Sequence, residues 1–394
     1  MEDIKIFTDL IEGKAREQIK KVAALPAFSG SKIRIMPDVH AGSGCVIGFT
    51  ADLGAKVIPS IVGVDIGCGM RATYLDVEEL DFKEIDNIIE CVIPSGANVR
   101  DVAVAFDLTR LRCYDALKDV DRLQKSLGTL GGGNHFIEID VDATGHYHLI
   151  VHTGSRGLGK QVAEYYMEKA IEHVAGKKQL KLDIAAVIEQ LKAEGRQKEI
   201  QSTIEKMYAD FAERVAGVDK TLAYIEGQDR LDYLHDMEIC QEYASKNREV
   251  ISHLICYHLG LSSDSSFETV HNYISFEDNI VRKGAIAAYE GEFVLIPLNM
   301  RDGCILGRGK GNKDWNCSAP HGAGRLMSRR TAREQIGMAD FQHSMEGIYT
   351  SSVCEETLDE APFAYKPMDS ILDNIKDTVD VIEIFHPVYN YKAH

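Results

Sequence analysis

The chain has 394 residues, 45% of them hydrophobic and 27% charged, with a formal net charge of −17. Those are the proportions of a globular protein, and they exclude a disordered or fibrous one. No apolar run approaches the roughly 18 residues of a membrane span, and the first residues show no basic start followed by an apolar core, so neither a secretory signal nor a membrane partner is expected.

Nine cysteines run from Cys45 to Cys354 without a CxxC pair. They exclude the four-cysteine zinc spacings and suit a reducing, cytoplasmic compartment better than a disulfide framework. Net acidity argues against nucleic acid as a partner, because phosphates bind Lys and Arg. The charge is uneven, however: Arg301, Arg308, Lys310, Lys313, Arg325, Arg329, Arg330 and Arg333 share one segment opposed only by Asp302 and Asp314. Polyphosphate, if bound, is expected there.

In chain order, residues 2–25 read as a helix and 32–36 as a strand. Residues 37–48 form a glycine-punctuated turn leading into a β-rich run. The apolar stretch 57–64 reads as a strand that ends at Asp65-Ile66-Gly67-Cys68-Gly69. A charged helix is expected over 107–125. Residues 127–139 read as a glycine loop entering a strand, and 148–152 as a second strand ending in the loop 153–159. From 160 to about 261 the spacing of apolar residues predicts a helical block, with 176–217 as an insertion subdomain. Strands return near 281, 285–288 and 293–296, followed by a helix over 323–337 and a tail that ends at His394.

Several residues in this order carry chemistry. Asp65 and Cys68 sit three apart on a glycine-lined turn, where carboxylate and thiol can converge on a cation. His135 follows Gly131-Gly132-Gly133-Asn134, His152 ends an apolar strand, and His271-Asn272 stands at a loop-to-strand junction. Each alone is at least as well explained by packing or turn formation, and His135 and His152 taken singly are better explained that way. Together they offer oxygen, sulfur and imidazole donors suited to Mn²⁺, Fe²⁺, Co²⁺ or Zn²⁺, with a thiolate able to bridge two ions of a phosphoryl-transfer centre. The loops 153–159, with Arg156, and 307–311 read as weak anion sites. His321, on a small-residue turn before Arg325, Arg329 and Arg330, reads as a nucleophile toward a held phosphate. Because the candidate ligands flank the helical block, the whole of 1–394 reads as a single α/β (α+β) domain, with central β-sheets flanked by helices.

The runs 37–48, 62–70, 131–138, 152–159 and 321–330, in this order and over most of the chain, closely resemble the RtcB-type RNA ligases. The resemblance implies a GTP- and Mn²⁺-dependent ligase of RNA repair or tRNA splicing, joining an RNA 3′-phosphate or 2′,3′-cyclic phosphate to a 5′-hydroxyl. It implies that His321 becomes guanylated and passes GMP to the RNA 3′-phosphate, and that the 5′-hydroxyl then displaces GMP. Asp65, Cys68 and His135 match the ligands of one manganese, and Cys68, His152 and His271 those of the other. Asn134, Phe136, Glu138 and Asn272 match guanylate-pocket positions. Gly322, Ala323 and Gly324 flank the nucleophile, Lys392 matches a guanine-contacting lysine, and Arg156 a residue that holds the RNA terminus or a phosphate. An activating protein partner is compatible with the resemblance.

One loop departs from the family pattern. Where Pro-Gly-Ser-Met-Gly followed by a Ser is common, this chain has Pro297, Leu298, Asn299, Met300, Arg301, Asp302, Gly303 and Cys304. Pro297, Leu298, Asn299, Met300 and Cys304 still map to the nucleotide pocket, but the lost glycines and serine alter the backbone approach and mark a divergent branch. A metal-dependent phosphohydrolase or cyclic phosphodiesterase acting on RNA ends is the alternative that this loop favours.

Overall fold

In the computed structural model, which describes residues 3–393, Asp3–Ile6 (β1) and Gly13–Ala23 (α1) replace the expected N-terminal helix. Ile4 and Ile6 alternate with Asp3 and Lys5, and that period-two pattern belongs to a strand. Glu2, where the helix was expected to begin, and His394 of the tail lie outside the described residues. Lys32–His40 (β2) extends the expected strand, and Ile47–Asp52 (β3) pairs with it.

The stretch 57–64 is not a strand: Pro59–Val62 (α2) is a helical turn, and Val57 makes one isolated bridge to Ile225. Apolarity cannot separate a buried strand from a buried helical turn, and Pro59 at the first helical position favours the turn. Gly69–Leu75 (β4) and Phe82–Val92 (α3) follow. The charged stretch 107–125 is α-helical only over Val120–Lys125 (α4). Asp107 and Asp119 bend the backbone instead, accepting from Thr109 N at 3.0 Å and from Arg122 N at 3.2 Å.

Phe136–Val141 (β5) and Tyr147–Thr153 (β6) lie where strands were expected. The helical block is Arg156–Val174 (α5), Lys177–Ala193 (α6), Ile200–Gly217 (α7) and the 32-residue Gly227–His258 (α8). Helices α6 and α7 cover the expected insertion and pack on each other; no side chain of α7 is buried. Then come Ser266–Val270 (β7), Tyr273–Ile274 (β8), Ile280–Lys283 (β9), Ala285–Ala287 (β10), Phe293–Asn299 (β11), Gly303–Gly309 (β12) and Ser318–Pro320 (β13). The expected helix over 323–337 begins only at Arg329: Gly324 has φ 76, and Ser328 accepts from Thr331 N to cap Arg329–Gln335 (α9). Met338–Ser344 (α10), Met368–Ile375 (α11) and the long Val379–Lys392 (β14) complete the chain.

The architecture is α+β. A seven-stranded antiparallel sheet runs β11-β12-β14-β5-β6-β4-β7, and a five-stranded sheet runs β1-β2-β3-β9-β8. A two-stranded ribbon, β10-β13, is hydrogen-bonded to neither but touches strands of both. Helices α3 and α8 cover one face of the large sheet through Ile85, Ile89, Ile251 and Ile255 against Ile137, Ile139, Leu149 and Val151, all buried. Glycines 307 and 309 permit close strand approach, since a Cβ at Gly309 would overlap Ala288 and Tyr289. Both glycines thus serve packing within the stretch 307–311.

Candidate active site

Antiparallel neighbours set the end of one strand beside the start of the next. The start of β5, the end of β6, the start of β4 and the end of β7 therefore share one edge of the large sheet. Phe136 pairs with His152, and Gly69 with both Thr153 and Val270. That register gathers Cys68, His135, His152 and His271, which flank or end these strands. Cys68 Sγ lies 3.5 Å from His135 Nε2 and 3.4 Å from His152 Nε2. His152 Nε2 is 3.4 Å from His271 Nε2, and His135 Nε2 is 3.0 Å from Asp65 Oδ2. The donors thus form two groups, Asp65–Cys68–His135 and Cys68–His152–His271, which share the thiol.

The hydrogen-bond network orients these rings for a cation. His135 Nδ1 donates to Leu130 O at 3.0 Å and His152 Nδ1 to Asn134 O at 3.1 Å, so that each Nε2 is aimed inward. His152 Nε2 and His271 Nε2 at 3.4 Å, and His135 Nε2 and Asp65 Oδ2 at 3.0 Å, bring donor atoms close enough to share a cation. Burial drives the imidazoles of His152 and His271 well below their usual range, so both are neutral near pH 7. Burial opposes ionisation of Asp65, but the His135 ring outweighs it and holds the carboxyl at about 2. Burial, then the Asp65 charge, pushes the Cys68 thiol up. A bound cation would offset both terms and favour the thiolate. The donor set fits a divalent metal.

Helix α8 buttresses this edge with two fully buried side chains. Asn247 accepts from Gly128 N at 2.7 Å and Thr129 N at 3.1 Å, and its amide donates to Gly154 O at 3.2 Å. Arg248 donates to Gly67 O at 2.9 Å and Thr153 O at 3.0 Å. Gly154 faces Asp65 so closely that a Cβ would overlap its carboxylate. The loop 153–159 thus packs against Asp65, and α5 starts at Arg156, not at 160. Arg156, at φ 54, turns its guanidinium behind His135, with Nη1 3.3 Å from His135 Nδ1 and Nε 3.2 Å from Thr129 Oγ1. It does not line the cavity described below.

His321 follows β13 in a turn, not at a helix start. Its ring lies 4.8 Å from that of His271. The fully buried Asp38 on β2 accepts His321 Nδ1 at 2.6 Å and His321 N at 3.1 Å with the same Oδ2. Among the described residues His321 Nε2 has no hydrogen-bond partner, so the ring presents one free nitrogen. Gly324 is required here, because a Cβ would overlap the Asp38 backbone. The Pro37-Asp38-Val39-His40 motif was visible in the sequence, but nothing local pairs Asp38 with a residue 283 positions away.

A cavity of about 580 Å³ opens over this centre. Its lining includes Asp65, Cys68, His152, His271 and His321 together with Asn134, Phe136, Glu138, Asn272, Gly322, Ala323, Gly324 and Lys392. Pro297, Leu298, Asn299 and Met300 also line it. Arg301 does not; it turns onto Asp302, Nε to Oδ1 at 2.8 Å. Cys304 does not either: its buried thiol lies 3.9 Å behind Glu138 Oε1. Asn390, unassigned from sequence, does line the cavity and donates to Glu138 Oε2 at 2.6 Å. Behind Glu138, both oxygens of the buried Asp140 lack hydrogen-bond donors. Burial and the neighbouring carboxylate raise Glu138 well above its usual range, and burial raises Asp140 to about 7, so the pair shares a proton near neutrality.

The basic segment is largely neutralised by internal pairing. Arg325 and Arg329 meet Glu360 at 3.3 and 2.6 Å, Arg333 meets Asp359 at 2.8 Å, and Arg330 meets Glu334 at 2.7 Å. Lys392 Nζ adds a contact to Glu360 at 2.9 Å. Burial opposes the charge on Glu360, but Lys392 and the arginines hold its carboxyl at about 2. Of the basic residues in that segment, Arg325 and Arg329 line the cavity.

The family model for the tRNA-splicing ligase RtcB matches residues 18–120 and 110–393. The RNA-splicing ligase RtcB of Escherichia coli K12 is 31% identical over 97% of this chain and 95% of its own length. The tRNA-splicing ligases RtcB of Archaeoglobus fulgidus and Thermococcus kodakarensis are 27% and 25% identical, over 92% and 95% of this chain and 87% and 90% of their own lengths.

Proposed function

The chain belongs to the RtcB family, and from that premise we propose that it is an RNA ligase: GTP- and Mn²⁺-dependent, joining RNA 3′-phosphate or 2′,3′-cyclic phosphate ends to 5′-hydroxyl ends in RNA repair or tRNA splicing. The observation that carries the reading is the Asp38–His321 pair set 4.8 Å, ring to ring, from the His271 side of a two-group donor cluster. No other arrangement among the described residues combines an anchored imidazole with two adjoining metal-competent groups.

Asp65, Cys68 and His135 would hold one divalent ion, and Cys68, His152 and His271 the second. Bound there, Mn²⁺ (or Fe²⁺, Co²⁺ or Zn²⁺) supplies Lewis-acid neutralisation of phosphate charge. His321 attacks the GTP α-phosphorus through Nε2: an N–P bond forms, pyrophosphate leaves with the electron pair, and Asp38 stabilises the charge that develops on the ring. Asn134, Phe136, Glu138, Asn272, Pro297, Leu298, Asn299, Met300 and Lys392 hold the guanosine, while Gly322, Ala323 and Gly324 let its phosphate approach. Cys304 acts on this pocket only through Glu138. From behind His135, Arg156 adds positive potential to the RNA terminus. The whole chain works as one catalytic unit, with 176–217 as its appended helical pair. An activating protein partner fits there, on the exposed surface of α6 and α7. The nine unpaired cysteines suit the cytoplasm, and no helix among the described residues is long and apolar enough to cross a membrane.

Incubation with labelled GTP and Mn²⁺ followed by denaturing electrophoresis tests the reading. Wild type is expected to carry label and His321→Ala none. Absent label, or equal label on both, refutes the ligase. Hydrolysis of a cyclic phosphate without label would select the phosphodiesterase alternative.

A further inference from the structure

Sealing needs a base that guanylation does not. When the RNA 5′-hydroxyl attacks the phosphorus of the activated 3′-phosphate, a new O–P bond forms. The bond from that phosphorus to the GMP oxygen breaks, GMP leaves with the electron pair, and the hydroxyl proton must go somewhere. Most titratable side chains of the cavity are committed. Asp65, Cys68, His152 and His271 belong to the metal-competent groups. Glu360 is held by Arg325, Arg329 and Lys392, and Glu138 by Asn390. The exposed Glu12 accepts the Ala41 amide at 2.7 Å. Tyr365 donates to Glu360 at 2.6 Å.

His40 remains. It closes β2, lines the same cavity, and hangs from the same residue as the nucleophile: its Nδ1 donates to Asp38 O at 2.9 Å while His321 holds Asp38 Oδ2. That bond sets the tautomer and leaves Nε2 as a lone pair, with no partner among the described residues. The charged or titratable groups that act on it are Asp38, His321 and Lys366. Lys366 itself donates to three backbone carbonyls, of Leu10, Pro37 and Val39. Burial lowers the His40 imidazole below its usual range, so the ring is unprotonated when RNA arrives.

We propose that His40 is the catalytic base of sealing, taking the proton of the RNA 5′-hydroxyl on Nε2 as that oxygen attacks. The assignment rests on the ligase reading above. One residue, Asp38, then positions both imidazoles: His321 by its carboxylate for guanylation, His40 by its carbonyl for sealing.

The test separates the two steps. His40→Gln and His40→Ala are compared with wild type in two assays with Mn²⁺ present. One is transfer of labelled GMP to the protein. The other is single-turnover sealing of a 5′-hydroxyl RNA to an RNA whose 3′-phosphate already carries GMP. Expected are GMP transfer within about threefold of wild type and sealing slowed by about 100-fold or more. Sealing slowed less than about tenfold overturns the proposal, and so does a parallel loss of GMP transfer, which would make His40 a support for Asp38. Wild type that takes no GMP yet seals the activated RNA would sink the guanylation reading and leave His40 to be judged on sealing alone. Wild type inert in both assays overturns both.

Discussion

Replacing Asp38 with Asn isolates what a carboxylate contributes to the proposed nucleophile, His321. The amide keeps the size and a carbonyl oxygen, so Asp38→Asn preserves the geometry of an acceptor 2.6 Å from His321 Nδ1 and 3.1 Å from its amide. It removes the negative charge at the moment the ring gains positive character. A hydrogen bond to a charged group contributes roughly 1.5–3 kcal/mol against about 1 kcal/mol for a neutral one. Asp38 is fully buried, so solvent screens little of that difference. With two donors on one oxygen, the loss at the transition state is about 1.5–3 kcal/mol, or roughly 10- to 150-fold in rate. The assay is single-turnover transfer of labelled GMP to His321, with metal content and melting temperature measured alongside. A rate within about threefold of wild type, at unchanged metal content, would refute the role assigned to Asp38.

Three further outcomes are expected. Cys68→Ala removes the donor shared by both groups, so metal content falls at both sites and turnover drops by about 100-fold or more; retained activity would show that the thiol is not shared. Lys392→Ala raises the GTP concentration needed for half-maximal guanylation by about tenfold with metal content unchanged, because Arg325 and Arg329 still hold Glu360; an unchanged GTP dependence removes the C-terminal strand from the nucleotide site. Asp140→Asn tests the proton-sharing pair: Asp140 rises from an ordinary carboxylate to about 7 on folding, so its folded state binds the extra proton. Its stabilising effect is present at low pH and lost as pH rises toward about 7, by at most about 4 kcal/mol. Melting curves should therefore match at about pH 5 more closely than at about pH 8, where the variant is the more stable; a pH-independent difference would contradict the shared proton.

Much of the chemistry was legible before the structure because it lies in short runs. Asp65-Ile66-Gly67-Cys68, Gly133-Asn134-His135 and His321-Gly322 each put a polar side chain beside a glycine, and this local pattern survives whatever the fold does around it. Strands β2, β5 and β6 and the helical block were legible for the same reason, through periodicity. Where local signals competed, tertiary context decided. Residues 57–64 are apolar enough for a strand but became α2, and 323–328 carry helix formers yet stay irregular because Gly324 must pass Asp38.

By itself the sequence determined which donors exist, and through family membership what kind of protein carries them. Which of them meet was decided only by the tertiary structure. The antiparallel order β5-β6-β4-β7 brings Cys68, His135, His152 and His271 to one sheet edge, and the 283-residue span between Asp38 and His321 closes by packing alone. Likewise, counting charges showed a basic segment, while only the fold revealed that Asp359 and Glu360 pair with Arg325, Arg329 and Arg333. Covalent neighbours set local conformation, but a contact between distant residues depends on strand register and on every side chain packed between them.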